Sequence, residues 1–300
     1  MMDWLANRDT WPNSAASDFF TAEDVRLHFQ RMGTVGSPRL LLLHGSGATT
    51  HSFRDLLPLL AQRFDVLALD LPGHGFSSPF ARRVPAMEAV AGALAELLRH
   101  TGFVPDLTVG HSAGAALGVR LAQDLSWQTP LVSINGAFYP FPGMAAYIFP
   151  AAARLLFLNP FAPRLFAFGA ASRSRVEDLI ASTGSVLDDQ GIDLYQRALC
   201  SRHHIEGTLE MMAHWDLTTM STRLRRLDSP VLQIIGMKDG TIDPASADDT
   251  AALLKRGEMV RIADAGHLVH EELPDRVSNI ISEFHLKHAN GTASAQPVDG

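Results

Sequence analysis

Leu107-Thr108-Val109-Gly110-His111-Ser112-Ala113-Gly114-Ala115-Ala116 decides how this chain reads. A short apolar run, 107–109, enters a G-x-S-x-G pentapeptide, and a helix-favouring run over 113–125 leaves it. The setting is strand, sharp turn, helix, and a serine at such a turn projects its hydroxyl above the edge of a sheet. Gly110 and Gly114 leave room where a Cβ would strike neighbouring backbone. A glycine-rich turn feeding an ordinary helix would share the pentapeptide, so the strand before it and the helix after it carry the reading.

Working outward, apolar runs recur at 40–43, 66–69, 131–134 and 231–235, interrupted only by Ser133 and Gln233, with another strand candidate at 258–262. Runs without polar alternation suit parallel strands covered on both faces. Alternation at Val25, Leu27 and Phe29 adds a half-buried strand near the start. Helix candidates lie between them at 52–60, 85–100, 113–125 and 245–254, with 274–288 at the end. Asp243-Pro244 predicts an N-cap followed by proline at the first helical position. The expected class is α/β, a mostly parallel doubly wound sheet.

The alternation fails over 138–228, which holds no long strand candidate and opens with Pro140, Pro142, Pro150, Pro160 and Pro163. It reads as a helical cap inserted between two strands, over the sheet edge where open α/β sheets bind ligands. The expected division is therefore a core of 1–137 and 229–288, a cap of 138–228 and a small, polar, disordered tail of 289–300.

His44-Gly45-Ser46-Gly47 follows the run 40–43 directly. A serine nucleophile needs two N–H groups aimed at the developing oxyanion. Ala113, just past the serine, and Ser46, between glycines, are the expected donors. Gly266-His267 follows the last strand candidate, so His267 is the expected base, and the order Ser…Asp…His is available. Asp239, just past the run 231–235, is the expected acid. Asp243 competes, but its place before Pro244 gives it a capping role, and the nearness of Asp264 to His267 in sequence is not contact. His270 reads as structural or pocket-lining.

The chain has 46% hydrophobic and 19% charged residues and a net charge of −7, which argues against general nucleic-acid binding. Cys200 is the one cysteine, so neither a disulfide framework nor a cysteine zinc site is expected. The start lacks a signal-peptide core, and a cytoplasmic location is expected. No spacing argues for a protein-bound cofactor, metal or nucleotide. From 137 to 171 only Arg154 and Arg164 are charged, while Phe138, Tyr139, Phe141, Tyr147, Phe149, Phe157, Phe161, Phe166 and Phe168 recur. The prolines leave no uninterrupted apolar span long enough to cross a bilayer. These side chains either pack the cap onto the core, line an apolar pocket, or touch a membrane surface. In a pocket, flat rings would stack on them, and either arginine would pair with a carboxylate. His111, Phe138, Tyr139, Met211 and Trp215 are the candidate substrate contacts. His203, His204 and His214 are candidate ligands for a metal within a bound substrate, although solvated or hydrogen-bonded histidines explain them as well.

Together His44-Gly45, Asp70-Leu71-Pro72-Gly73-His74-Gly75, Gly110 to Gly114, Asp239 and Gly266-His267 resemble the α/β-hydrolase fold family over nearly the whole chain. Further segments are similar to the BchO group, α/β-hydrolase-like proteins encoded with bacteriochlorophyll-biosynthesis genes and labelled magnesium-chelatase accessory proteins. They are Trp11-Pro12-Asn13, His111 to Ala116, Ile134 to Ala137, Thr183-Gly184-Ser185, Met211-Met212, Trp215-Asp216 and His267 to Glu272. The resemblance implies a tetrapyrrole pathway, a porphyrin-like substrate and a chelatase partner, without supplying a reaction. The expectation is a serine hydrolase on an apolar, ester-like substrate. Its rival is a tetrapyrrole carrier or chelatase-assisting protein on the same scaffold. A carbon–carbon bond hydrolase or a cofactor-free oxygenase-like enzyme would use the same three residues. Epoxide- and haloalkane-opening relatives carry aspartate where Ser112 stands.

Overall fold

The structure, a computed structural model, describes residues 1–140 and 172–289. Its strands are β1 (Ser17–Ala22), β2 (Val25–Met32), β3 (Arg39–Leu43), β4 (Asp65–Leu69), β5 (Leu107–His111), β6 (Leu131–Ile134), β7 (Val231–Gly236) and β8 (Gly257–Ile262). They form one sheet in the order β1-β2-β4-β3-β5-β6-β7-β8. β2 runs antiparallel to β1 and β4, and every pair from β4 to β8 is parallel. The α/β class expected from the alternating runs is the class the chain adopts.

The unbroken runs are explained by two covered faces. In β3, Leu41 and Leu43 pack into the layer formed by the helices Met87–His100 and Ala113–Asp124. Leu40 and Leu42 point the other way, towards the helices Leu56–Leu60 and Pro274–Ala289. All four leucines are fully buried. Each contributes roughly 1.5–3 kcal/mol by leaving water, which fixes β3 at the centre of the sheet.

Several boundaries differ from expectation. β1 carries Ser17-Asp18-Phe19-Phe20-Thr21-Ala22, whose burial does not alternate, so no periodicity marks it. The expected helix 52–60 divides into a 3₁₀ turn, Thr50–Phe53, and the helix Leu56–Leu60. The expected helix 245–254 contracts to Ser246–Ala251 with Ala245 at its N-cap. Asp243 Oδ1 accepts the Ala245 N–H at 2.9 Å, so Asp243-Pro244 caps a turn ahead of the helix.

The described part of 138–228 contains the helices Arg173–Ser182, Asp189–Cys200, Arg202–His214 and Met220–Arg226. They lie across the C-terminal ends of the strands. Gly207 passes Gly73, in the loop after β4, so closely that a Cβ on it would sit 2.2 Å from the Gly73 carbonyl oxygen. Val176, Ile180, Ile192 and Tyr195 pack around Leu268, one residue past His267. Arg154, Arg164 and the aromatic residues from Phe141 to Phe168 lie outside the described residues, as does 290–300. Among the described residues no helix is long and apolar enough to cross a membrane.

Candidate active site

β5 ends at His111 and the next helix starts at Ala113, which leaves Ser112 alone to turn the chain. It does so at φ 51, ψ −117, a region L-residues rarely occupy and that costs on the order of 1–3 kcal/mol. The glycines beside it permit the sharp return. A Cβ on Gly110 would lie 2.5 Å from Ala115 Cα, and one on Gly114 would lie 2.2 Å from the Leu43 oxygen. The Ser112 N–H donates to the Ile134 oxygen, and the Ser112 carbonyl accepts from Ala115 and Ala137. The serine backbone is thereby pinned to both neighbouring elements.

The His44–Gly47 loop comes up against this turn. A Cβ on Gly45 would be 3.0 Å from Ser112 Cβ. The loop is held by the His44 ring, whose Nδ1–H donates to the Gly45 oxygen at 2.7 Å and whose Nε2 accepts the Leu71 N–H at 2.9 Å. Ser46 is exposed. Among the described residues, the N–H groups of Ser46 and Ala113 find no acceptor.

Asp239 and His267, 28 residues apart in the chain, meet through Oδ2 and Nδ1 at 2.7 Å. The other carboxylate oxygen, Oδ1, accepts the N–H groups of Thr241 and Ile242 at 2.7 and 2.9 Å. An acceptor-only carboxylate fixes the proton on Nδ1 and leaves the Nε2 lone pair free. Both side chains are more than nine-tenths buried. Asp243 is exposed and bonded within its own turn, and Asp264 faces Arg276 at 3.9 Å. Neither is the partner of His267. Among the described residues no hydrogen bond joins Ser112 Oγ to His267; such bonds commonly tighten only when ligand is bound.

His111, the last residue of β5, is 2% exposed. Its Nε2–H donates to the His267 carbonyl at 3.0 Å. The His111 ring lies 4.7 Å from that of His267 and 4.5 Å from that of His270. Burial, reinforced by the neighbouring rings, pushes His111 well below the ordinary imidazole range. Burial, then His267 and Arg54, bring His270 down to about 3. Both are neutral scaffolding around the site. Phe138 and Met211 are core residues, at 2% and 1% exposure. Tyr139 and Trp215 pack half-buried at the edge of that core.

Of the three histidines between β6 and β7, His203 is exposed, and His204 uses both ring nitrogens on the backbone of Gly47 and Gly75. His214 donates Nδ1–H to the Glu210 oxygen. Among the described residues no group of three side chains is placed to hold a metal ion.

Sequence reasoning missed two supports. Asn135, at φ 45 after β6, donates Nδ2–H to the oxygens of Gly266 and His267, each at 2.9 Å, and accepts the Gly236 N–H. Glu271 is buried with Arg54 and accepts from Ser52 and Tyr195 hydroxyls at 2.6 and 2.7 Å. An asparagine after β6 was visible in the sequence; the Arg54–Glu271 pair, 217 residues apart, had no local signal.

Residues 38–274 match the model of the α/β hydrolase fold family. The chain is 38% identical over 287 residues to the Magnesium-chelatase 30 kDa subunit of Rhodobacter capsulatus, covering 94% of this chain and 99% of that one. It is 29% identical over 256 residues to the pimeloyl-[acyl-carrier protein] methyl ester esterase of Methylococcus capsulatus, covering 82% and 94% respectively. Among solved structures, an α/β hydrolase fold protein from Burkholderia ambifaria superposes with a TM-score of 0.73 at 21% identity, over 89% of this chain and 97% of that one. With the match running from the strand before Gly45 through the elbow to the loop that carries His267, the chain belongs to the α/β hydrolase fold family.

Proposed function

We propose that this protein is a serine hydrolase acting on an apolar, ester-like substrate. The observation that carries the proposal is the 2.7 Å bond between His267 Nδ1 and Asp239 Oδ2, set beside a strained serine turn. Ser112 Oγ attacks the carbonyl carbon while its proton passes to His267 Nε2. The N–H groups of Ser46 and Ala113 receive the oxyanion. As the tetrahedral intermediate collapses, the leaving alcohol takes the proton from Nε2. Water then repeats the sequence on the acyl-enzyme, releasing the acid and restoring Ser112. The helices between β6 and β7 act as a cap, and Tyr139 and Trp215 contribute to the apolar wall. A tetrapyrrole ester suits such a wall, and the relative named as a magnesium-chelatase subunit favours that class.

The same similarity supports a second reading, a tetrapyrrole-binding or chelatase-assisting protein that leaves the triad unused. A fluorophosphonate probe separates them. Rapid labelling that disappears in Ser112→Ala supports the hydrolase. Absence of labelling, with porphyrin binding unchanged by that substitution, supports the binding protein.

A further inference from the structure

The loop that presents His267 is held along its carbonyl side by Asn135 and His111. Its N–H side is held from elsewhere. Three successive N–H groups, those of Gly266, His267 and Leu268, donate to Glu272 Oε1, the Thr183 oxygen and Ser185 Oγ, at 2.8, 3.1 and 2.8 Å. Two of these acceptors belong to the segment between β6 and β7, not to the sheet. The Thr183 oxygen also accepts the Gly240 N–H at 3.0 Å, one residue past Asp239. Glu272 reaches back with its second oxygen to the Val186 N–H at 3.3 Å.

Packing makes this junction unforgiving. Gly184, at φ 77, passes so close to the acid loop that a Cβ would lie 1.7 Å from the Lys238 oxygen, and a Cβ on Gly266 would lie 2.3 Å from the Gly184 carbonyl carbon. Ser185 is 2% exposed. The turn therefore sits between the loop of Asp239 and the loop of His267 and bonds to both. It is the C-terminal continuation of the helix Arg173–Ser182, whose Val176 and Ile180 pack on Leu268.

We propose that Ser185 is a positioning residue for His267, and that the Thr183–Gly184–Ser185 turn makes alignment of the acid–base pair depend on the seating of the helix Arg173–Ser182. The inference deepens the hydrolase reading and rests on it for its kinetic consequence. A ligand that shifts this helix moves the Thr183 oxygen and Ser185 Oγ, and with them the backbone of the base.

The test compares Ser185→Ala with Ser185→Thr, which keeps an acceptor oxygen. Steady-state kinetics on a p-nitrophenyl ester and the proton resonance of the His267 Nδ1–H are read together. Ser185→Ala is expected to lower kcat by about 10- to 100-fold, since small misplacements cost that much, with KM within about twofold. The Nδ1–H resonance is expected to move or broaden into exchange, and Ser185→Thr to restore both. If Ser185→Ala does not fold, Glu272→Ala against Glu272→Gln applies the same comparison to the Gly266 N–H. Unchanged kcat and an unchanged resonance in a merely less stable Ser185→Ala protein would overturn the proposal. If the wild type neither hydrolyses ester nor reacts with fluorophosphonate, the hydrolase reading fails, while the resonance still decides whether Ser185 positions His267.

Discussion

His204 Nε2–H donates to the carbonyl of Gly47 at 3.0 Å, which ties the helix Arg202–His214 to the loop that approaches Ser112. The other ring nitrogen accepts the Gly75 N–H at 3.1 Å. The two bonds fix one neutral tautomer, because the carbonyl demands a donor and the N–H an acceptor. Protonation would put a second N–H against the Gly75 donor, so the junction holds only while this ring stays neutral.

The pH dependence of stability follows. Burial first, then the neighbouring His44, lower His204, against the pull of Asp70 and the Gly47 bond, to about 4. Unfolded, the ring titrates near about 6.5. The unfolded chain therefore binds more protons between those values, and stability is lost as pH falls through that window. Other buried histidines, His44 and His270 among them, are lowered too and act in the same direction. Replacing His204 by Gln should flatten the fall between pH 6 and 4.5 by up to about 1.4 kcal/mol per pH unit. Urea titrations at stepped pH measure this, and parallel wild-type and variant curves would assign the acid sensitivity elsewhere.

Asp239 and Asp243 give the sharpest contrast in the acid loop. Asp239→Asn would present an amide N–H₂ to His267 Nδ1, move the ring proton to Nε2 and remove the lone pair that, on the hydrolase reading, accepts the serine proton. Loss of ester hydrolysis on the order of 10⁴-fold is expected, with the fold retained. Asn at 243 still accepts the Ala245 N–H, so Asp243→Asn should stay within about twofold, because asparagine caps as well as aspartate. Fluorophosphonate labelling rates give the same ranking. Equal effects would remove Asp239 from its role.

How much of this was legible depends on range. β3 and β4 announced themselves because both faces are covered, so Leu40 to Leu43 and Val66 to Leu69 had to be apolar without interruption. β1 pairs only with β2, and Phe19 and Phe20 each pack half-buried on a different cluster while Asp18 and Thr21 stay exposed, so Ser17 to Ala22 had no pattern to read. Ser112 and His267 stood in glycine motifs that a local window can recognise, although the backbone that Gly114 and Gly266 make room for, at Leu43 and Gly184, is distant in the chain. The function of Thr183-Gly184-Ser185 was not readable from those residues. Its partners are the N–H groups of Gly240, His267 and Leu268, brought in by the sheet and invisible to a local window.

The Arg54–Glu271 pair is a long-range support of the same kind. Glu271 is enclosed by Arg54, Ser52 and Tyr195, and Arg54 also meets Asp188 at 3.1 Å. Glu271→Gln keeps the shape and leaves the buried Arg54 charge with only its solvent-exposed partners, Asp55 at 3.2 Å and Asp188 at 3.1 Å. Breaking a buried pair in this way costs about 3–5 kcal/mol. The double variant Arg54→Met with Glu271→Leu removes both charges and should lose much less. Urea denaturation of the three proteins decides it. A Glu271→Gln loss no larger than that of the double variant would mean the pair is solvated in solution.

The strain at Ser112 yields a prediction that separates backbone from side chain. Ser112→Ala and Ser112→Gly both remove the hydroxyl, so on the hydrolase reading both abolish fluorophosphonate labelling. They differ at φ 51, ψ −117, which alanine must occupy at the same steric cost as serine and glycine occupies freely. Relief of about 1–3 kcal/mol exceeds the roughly 0.5–1 kcal/mol by which glycine's greater unfolded-state freedom opposes it. Ser112→Gly should therefore unfold at a higher temperature than Ser112→Ala, by a few degrees for a chain of this size. Calorimetry of the two inactive variants measures the difference. A more stable alanine variant would mean that the turn holds no strain, and that Ser112 is exposed by the path of the chain alone.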